Sequence, residues 1–195
     1  MSLVIEVVRA DEMASVLPDL AQLRITVFRD FPYLYDGDLE YEQRYLNRFS
    51  QAQGAVIVVA REGAQVVGAA TGVPLGEVEP EFALPFQQRG YDMSTIFYCA
   101  ESVLLSEYRG RGIGHAFFDH REAHARALGA TQCCFCSVIR PDTHPAKPAT
   151  YRSLDGFWHK RGYAPLPDAT VSFDWKDVDE DIETQKKLQV WTRQL

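Results

Sequence analysis

The apolar positions of this chain switch between two periods, and the switches divide it into elements. Residues 3–9 alternate, as a strand with one buried face does. From Met13 the period lengthens: Met13, Val16, Leu17, Leu20 and Leu23 share a helical face, with Asp11 placed to cap the helix and Pro18 placed to kink or divide it. The aromatic, turn-rich segment Phe31-Pro32-Tyr33-Leu34-Tyr35-Asp36-Gly37-Asp38 interrupts, and Tyr41, Tyr45, Leu46 and Phe49 then resume helical spacing. Two apolar runs, residues 55–60 and 66–73, flank Glu62-Gly63-Ala64-Gln65 and predict a hairpin of buried strands. Residues 77–93 carry Pro80 and Pro85 without a clean period and predict a loop with a short helix.

Residues 95–105 form a further central strand, and Tyr108-Arg109-Gly110-Arg111-Gly112-Ile113-Gly114 leads directly from it into a helix that ends near Leu128, with Gly129 as its stop. A strand over 132–139 follows, so strand, crossover helix and strand make one βαβ unit whose strands run parallel. After the proline-rich stretch 141–148 the pattern predicts a helix over 153–161, stopped by Gly162, and strands over 170–175 and 188–192. No repeat and no linker divides the sequence. Residues 1–195 are therefore expected to form one α+β domain, a mixed sheet flanked by helices in three layers.

Composition narrows the function. With 195 residues and 46% hydrophobic, the chain can bury one good core. A net charge of -7 argues against a phosphate-backbone surface, so nucleic acid is not an expected partner. Charged residues interrupt every apolar run before it reaches the roughly 20 residues that span a bilayer, so no membrane role is expected. The first residues lack the basic and apolar regions of a secretory leader, which places the expected location in the cytoplasm. Cys133, Cys134 and Cys136 alternate along a strand and cannot all ligate one metal; they and Cys99 read as buried reduced thiols, with no metal expected. His120 and His124 lie four apart on a helix, but the glutamate between them is out of place for a zinc motif, and polar helix surface accounts for both.

The chemistry sits in Arg109-Gly110-Arg111-Gly112-Ile113-Gly114, where a strand ends and a helix begins. Glycines there bring backbone N–H groups close to an anion, and the helix dipole adds attraction for negative charge. The spacing is neither that of a dinucleotide fingerprint nor that of a nucleotide-triphosphate loop. It is R-x-x-G-x-G, and with the preceding Val103-Leu104-Leu105-Ser106-Glu107-Tyr108 the segment resembles the coenzyme A signature of the GNAT acetyltransferases. The order of elements resembles that family over nearly the whole chain.

The resemblance implies a GNAT fold: a mostly antiparallel mixed sheet of about six or seven strands, with the fourth strand splayed from the fifth to admit acetyl-CoA as co-substrate. It implies that Arg109, Gly110, Arg111, Gly112, Ile113, Gly114 and His115 surround the pyrophosphate, and that Val103, Leu104 and Leu105 offer backbone groups to the pantetheine arm. A bulge in residues 95–105 would then be a functional feature. The implied activity is transfer of the acetyl group to a primary amine of a small or amino-acid-like acceptor in a ternary complex.

Amine attack needs removal of a proton, and Glu101 is the candidate base because it interrupts the apolar run Ile96-Phe97-Tyr98-Cys99-Ala100. A salt-bridged glutamate would account for the same position. The family pattern places a tyrosine acid where this chain has Trp158, which leaves water, His159, Tyr151 or no group at all for that step. Tyr33 and Tyr35 are expected to line the acceptor pocket, and Arg140 and His144 to reach it from the turn after the fifth strand. A non-catalytic acyl-CoA sensor with the same fold is the competing expectation, and a homodimer stays open.

Overall fold

The computed structural model describes residues 2–195. Its strands are β1 (Leu3–Val7), β2 (Val56–Glu62), β3 (Gln65–Pro74), β4 (Ile96–Tyr98), β5 (Ser102–Leu104), β6 (Gln132–Val138), β7 (Ala164–Trp175) and β8 (Thr184–Gln194). Its helices are α1 (Met13–Phe28), α2 (Leu39–Gln51), α3 (Pro80–Gln87), α4 (Ile113–Ala127) and α5 (Asp155–Lys160). The sheet runs β1-β2-β3-β4-β6-β8-β7, with β5 beside β3. Among the described residues only the β4–β6 pairing is parallel. This is the α+β GNAT fold; the sheet has eight strands against the six or seven expected, and β4 and β5 occupy the place of the one strand expected over 95–105.

Strand β2 shows why the sheet lies between helical layers. Val56, Val58 and Ala60 pack with Phe117 and Phe118 of α4, while Ile57 and Val59 pack with Leu17, Leu20 and Leu46 of α1 and α2. Successive residues of a strand point to opposite faces, so a run apolar at every position is covered on both. Ile57 and Leu46 are fully enclosed, each contributing roughly 1.5–3 kcal/mol by burial. The cysteines follow the same alternation: Cys133 faces the α4 layer, whereas Cys134 and Cys136 share the opposite cluster with Leu75 and Phe86.

Several expectations change in detail. Asp11 does not cap α1; its carboxylate pairs with Arg9, and a short 3-10 turn over Ala10–Glu12 precedes the helix. Pro18 lies inside α1, which continues through it. Helix α2 has its cap in Asp38, whose side chain accepts from the Tyr41 amide at 2.8 Å. The strands expected over 170–175 and 188–192 extend to Ala164–Trp175 and Thr184–Gln194. Pro165 and Pro167 weaken the strand pattern, but β7 is the sheet edge, where a missing ladder donor is tolerated, and the register shifts between Pro165 and Thr170. His124 is more than surface: its Nε2 lies 3.0 Å from the Gly54 carbonyl oxygen.

Candidate functional site

The expected single strand over 95–105 is broken. Tyr98 pairs with Val73 and Ser102 with Ala70, so the β4–β5 side carries one residue more than β3 between those two pairings. That is a bulge at Cys99, Ala100 and Glu101. Its backbone remains tied to β3, because the Thr71 amide donates to the Glu101 carbonyl at 3.0 Å and the Ala100 amide to the Thr71 carbonyl at 3.1 Å. Arg121 of α4, 1% exposed, closes it from beneath: Nη1 donates to the carbonyls of Thr71 and Glu101, and Nη2 to Ser102 Oγ.

The bulge opens the sheet. Strand β6 pairs with β4 through Ile96, Phe97 and Tyr98, and the Cys99 amide still reaches the Cys134 carbonyl at 2.8 Å. Beyond that point β5 pairs only with β3, and the stretch of β6 from Phe135 onward pairs only with β8. On β5 and the residues flanking it, Glu101, Val103 and Leu105 direct their backbone groups toward β3. By the alternation of an antiparallel ladder, Ser102 and Leu104 present theirs to the gap. Of the three residues expected to offer backbone groups, Leu104 turns its own to the gap, Val103 pairs with Ala69, and Leu105 donates to Val67 and accepts from Tyr108; Ser102 joins Leu104 on the edge.

The turn after β5 completes this edge. A 3-10 turn at Ser106–Tyr108 delivers the chain to Gly110 and Gly112, with φ of 76° and 81°. Only glycine adopts that region without strain, and alternating hands of backbone turn successive N–H groups to one side. Among the described residues no protein acceptor meets the amides of Gly110, Arg111, Gly112, Ile113 or Gly114. They cluster at the N-terminus of α4, where the dipole is positive. Arg109 and Arg111 are exposed beside them, the latter over the Tyr108 ring at 4.9 Å. His115 is exposed, its ring 4.8 Å from that of Phe157.

On the other side of the bulge lies a pocket of about 860 Å³. Glu101 lines it, and so do Tyr33 and Tyr35 from the segment after α1. Glu101 is 6% exposed; its Oε2 pairs with Arg24 Nη1 at 2.8 Å and accepts from Tyr45 Oη at 3.3 Å. Arg24 also binds Glu42, which is fully buried, and its guanidinium lies over the rings of Tyr45 and Phe28. Burial would lower the Arg24 pKa, but Glu101, Tyr45 and Glu42 together outweigh it and hold the group charged. One cation thus serves two buried carboxylates, and each keeps an Oε1 with no hydrogen-bond partner. Burial also raises the phenols of Tyr33 and Tyr45, and pushes the Cys136 thiol on the pocket wall up to about 12.

Arg24 and Glu42 escaped the sequence reading, although their spacing carried a signal. Arg24 continues the face of Leu17, Leu20 and Ala21, and Glu42 that of Tyr45, Leu46 and Phe49, so both charges occupy apolar faces. The two residues expected from the turn after β6 lie elsewhere. Arg140 spends its donors on the carbonyls of Pro32 and Tyr33 and on Asp177, bolting the aromatic segment to the β7–β8 turn rather than lining the pocket. The His144 ring packs 5.7 Å from that of Phe31, also outside the pocket lining. Trp158 is wedged between Phe135 and Trp191, at 5.0 and 5.1 Å. Tyr151 meets Phe31 edge to face, and His159 meets Trp191 in the same way.

A mixed sheet split by a bulge, with a glycine turn of open amides below the split, is the architecture of the acyltransferase class. The chain belongs to the acetyltransferase (GNAT) family, which it matches over residues 20–157. Solved structures agree on the fold. A ribosomal-protein-alanine N-acetyltransferase from Brucella melitensis superposes with a TM-score of 0.62 at 15% identity, covering 98% of this chain and 99% of that one. A GCN5-related N-acetyltransferase from Kribbella flavida gives 0.58 at 16%, covering 99% and 98%. A Salmonella typhimurium protein solved with its cofactor acetyl-CoA gives 0.59 at 14%, covering 100% and 95%. No curated protein matches the sequence. Among the described residues no helix is long and apolar enough to cross a membrane.

Proposed function

We propose that the protein is an N-acetyltransferase that moves the acetyl group of acetyl-CoA to a primary amine by direct transfer in a ternary complex. The observation that carries this reading is the run of unpartnered amides from Gly110 to Gly114 at a helix start, adjoining a strand edge that pairs with nothing. A diphosphate fits that cradle, where its charge meets N–H groups, a helix dipole and the Arg109 and Arg111 side chains. The free edge of Ser102 and Leu104 suits an extended arm that carries amides of its own. When bound, acetyl-CoA supplies an activated acyl group.

The chain's own residues do the rest. The pocket beyond the bulge receives the acceptor, and Glu101 faces it as the group that draws the ammonium in and takes its proton, directly or through water. Holding the two reactants together supplies roughly 7–11 kcal/mol of the barrier without any special side chain. Trp158, packed into the core, provides no acid, so protonation of the leaving thiolate falls to water.

Calorimetry and thiol release test the reading together. Acetyl-CoA is expected to bind with micromolar affinity, and initial rates against both substrates to give intersecting lines. Binding without thiol release for any amine would favour the sensor. Gly112→Ala is expected to weaken acetyl-CoA binding about tenfold, since a side chain at that φ costs roughly 1–2 kcal/mol. Gly156→Ala, in the helical backbone of α5 and outside the run of open amides, is the control: nothing lies within 4 Å of where its Cβ would stand. Equal affinities in the two variants would remove the glycine turn from the binding site.

A further inference from the structure

The acceptor pocket carries more charge and more aromatic wall than a plain amine needs. At its floor Glu101 is more than nine-tenths buried and lines the cavity, with Oε1 unpartnered. Behind it stands Glu42 with a second unpartnered oxygen, and a single guanidinium serves both. At the rim Glu77, Glu79, Asp174, Asp181 and Glu183 all line the same cavity, and none has an ion pair among the described residues. The rim cations are largely spent: Arg44 on Glu40 and Lys176 on Asp36, leaving Arg48. Between floor and rim the walls are the rings of Phe28, Tyr33, Tyr45, Tyr98 and Phe173.

These features place negative charge at two depths, separated by apolar rings that also favour a cation over their faces. A volume of about 860 Å³ is large for a one-headed small amine, and typical of pockets that enclose a whole organic ligand. A carboxylate-bearing acceptor would set its own anion among the rim acids, where like charges repel and no free arginine pair stands to receive it. We infer that the acceptor is a di- or polycationic amine: a primary ammonium at Glu101, joined by an apolar spacer to a second positive charge at the acidic rim. This rests on the transferase reading above and specifies its substrate class. The step balances: the ammonium gives one proton to Glu101 or water, the neutral nitrogen forms the C–N bond as the thioester C–S bond breaks, and its second proton ends on the sulfur, so that coenzyme A leaves as the thiol.

The test compares hexamethylenediamine, n-hexylamine and 6-aminocaproate, equal in carbon number and differing at the far end, by thiol release at saturating acetyl-CoA and by calorimetry. The diamine is expected to exceed the monoamine about tenfold in kcat/KM and aminocaproate by more. That advantage should shrink severalfold as salt is raised, because the rim is exposed. In the triple variant Glu79→Gln, Asp181→Asn, Glu183→Gln the diamine's advantage over n-hexylamine should fall to about twofold. Turnover with the monoamine or aminocaproate equal to or better than the diamine overturns the inference and leaves the transferase standing. Tight diamine binding that the triple variant abolishes, without thiol release for any amine, sinks the transferase reading and keeps the ligand class. Neither binding preference nor turnover removes both.

Discussion

Glu101→Gln is expected to lower kcat/KM for amine acceptors about 10²- to 10⁴-fold, the range of a positioned acid or base, while acetyl-CoA binds within about twofold of the parent. The substitution keeps the shape of the side chain and leaves Arg24 its second partner, Glu42, so the fold should survive. It removes a charge that attracts the ammonium and the site that receives its proton. The two roles separate with pH. An alkyl ammonium loses its proton near pH 10.4, so raising the pH supplies neutral amine without help, and a variant lacking only the base should recover toward the parent rate. A variant lacking the anchor should stay slow through a raised KM. Parental kcat and KM at neutral pH in the Glu101→Gln enzyme would exclude Glu101 from both roles and return it to a salt-bridged residue of the core.

How far the sequence announced this arrangement differs from element to element. The hairpin of β2 and β3 was plain because uninterrupted apolar runs demand cover on both faces, and the glycine turn because glycines at a strand-to-helix junction have few other uses. The break between β4 and β5 was not, since Cys99 and Ala100 read as a continuous apolar strand and a bulge leaves no residue signature of its own. What fixes it is Arg121, a helix residue fifty positions from the Thr71 carbonyl it binds. Such a contact exists only after tertiary packing.

The pocket divides the same way. Glu101 stood out as a charge in an apolar run, and Tyr33 and Tyr35 by their place in a turn. Arg140, which follows β6 toward the same region, serves the Pro32 and Tyr33 carbonyls and Asp177, contacts that take up four of its five N–H donors and hold it outside the pocket lining. The partners of Glu101 were hidden in helices whose other charges are solvated, where a single buried arginine or glutamate looks like any surface residue until its face is drawn.

Arg24→Met should therefore be the most destabilising single change in the site. The side chains of Arg24, Glu42 and Glu101 are 12%, 0% and 4% exposed, and removing the cation strands two carboxylates in a poorly hydrated interior. Breaking a buried pair in this way costs about 3–5 kcal/mol, chiefly through the charge left behind. For a domain of this size that corresponds to a fall in Tm of roughly 10 °C. The penalty is electrostatic rather than steric, since methionine fills similar space. Adding Glu42→Gln to Arg24→Met should thus return about half of the loss. Hexamethylenediamine should raise Tm more in Arg24→Met than in the parent, because a cation that binds only the folded pocket restores the missing counter-charge and stabilises by mass action. A single variant that melts within about 2 °C of the parent would mean that water reaches these carboxylates freely, and the pocket floor would then lack the field on which amine capture depends.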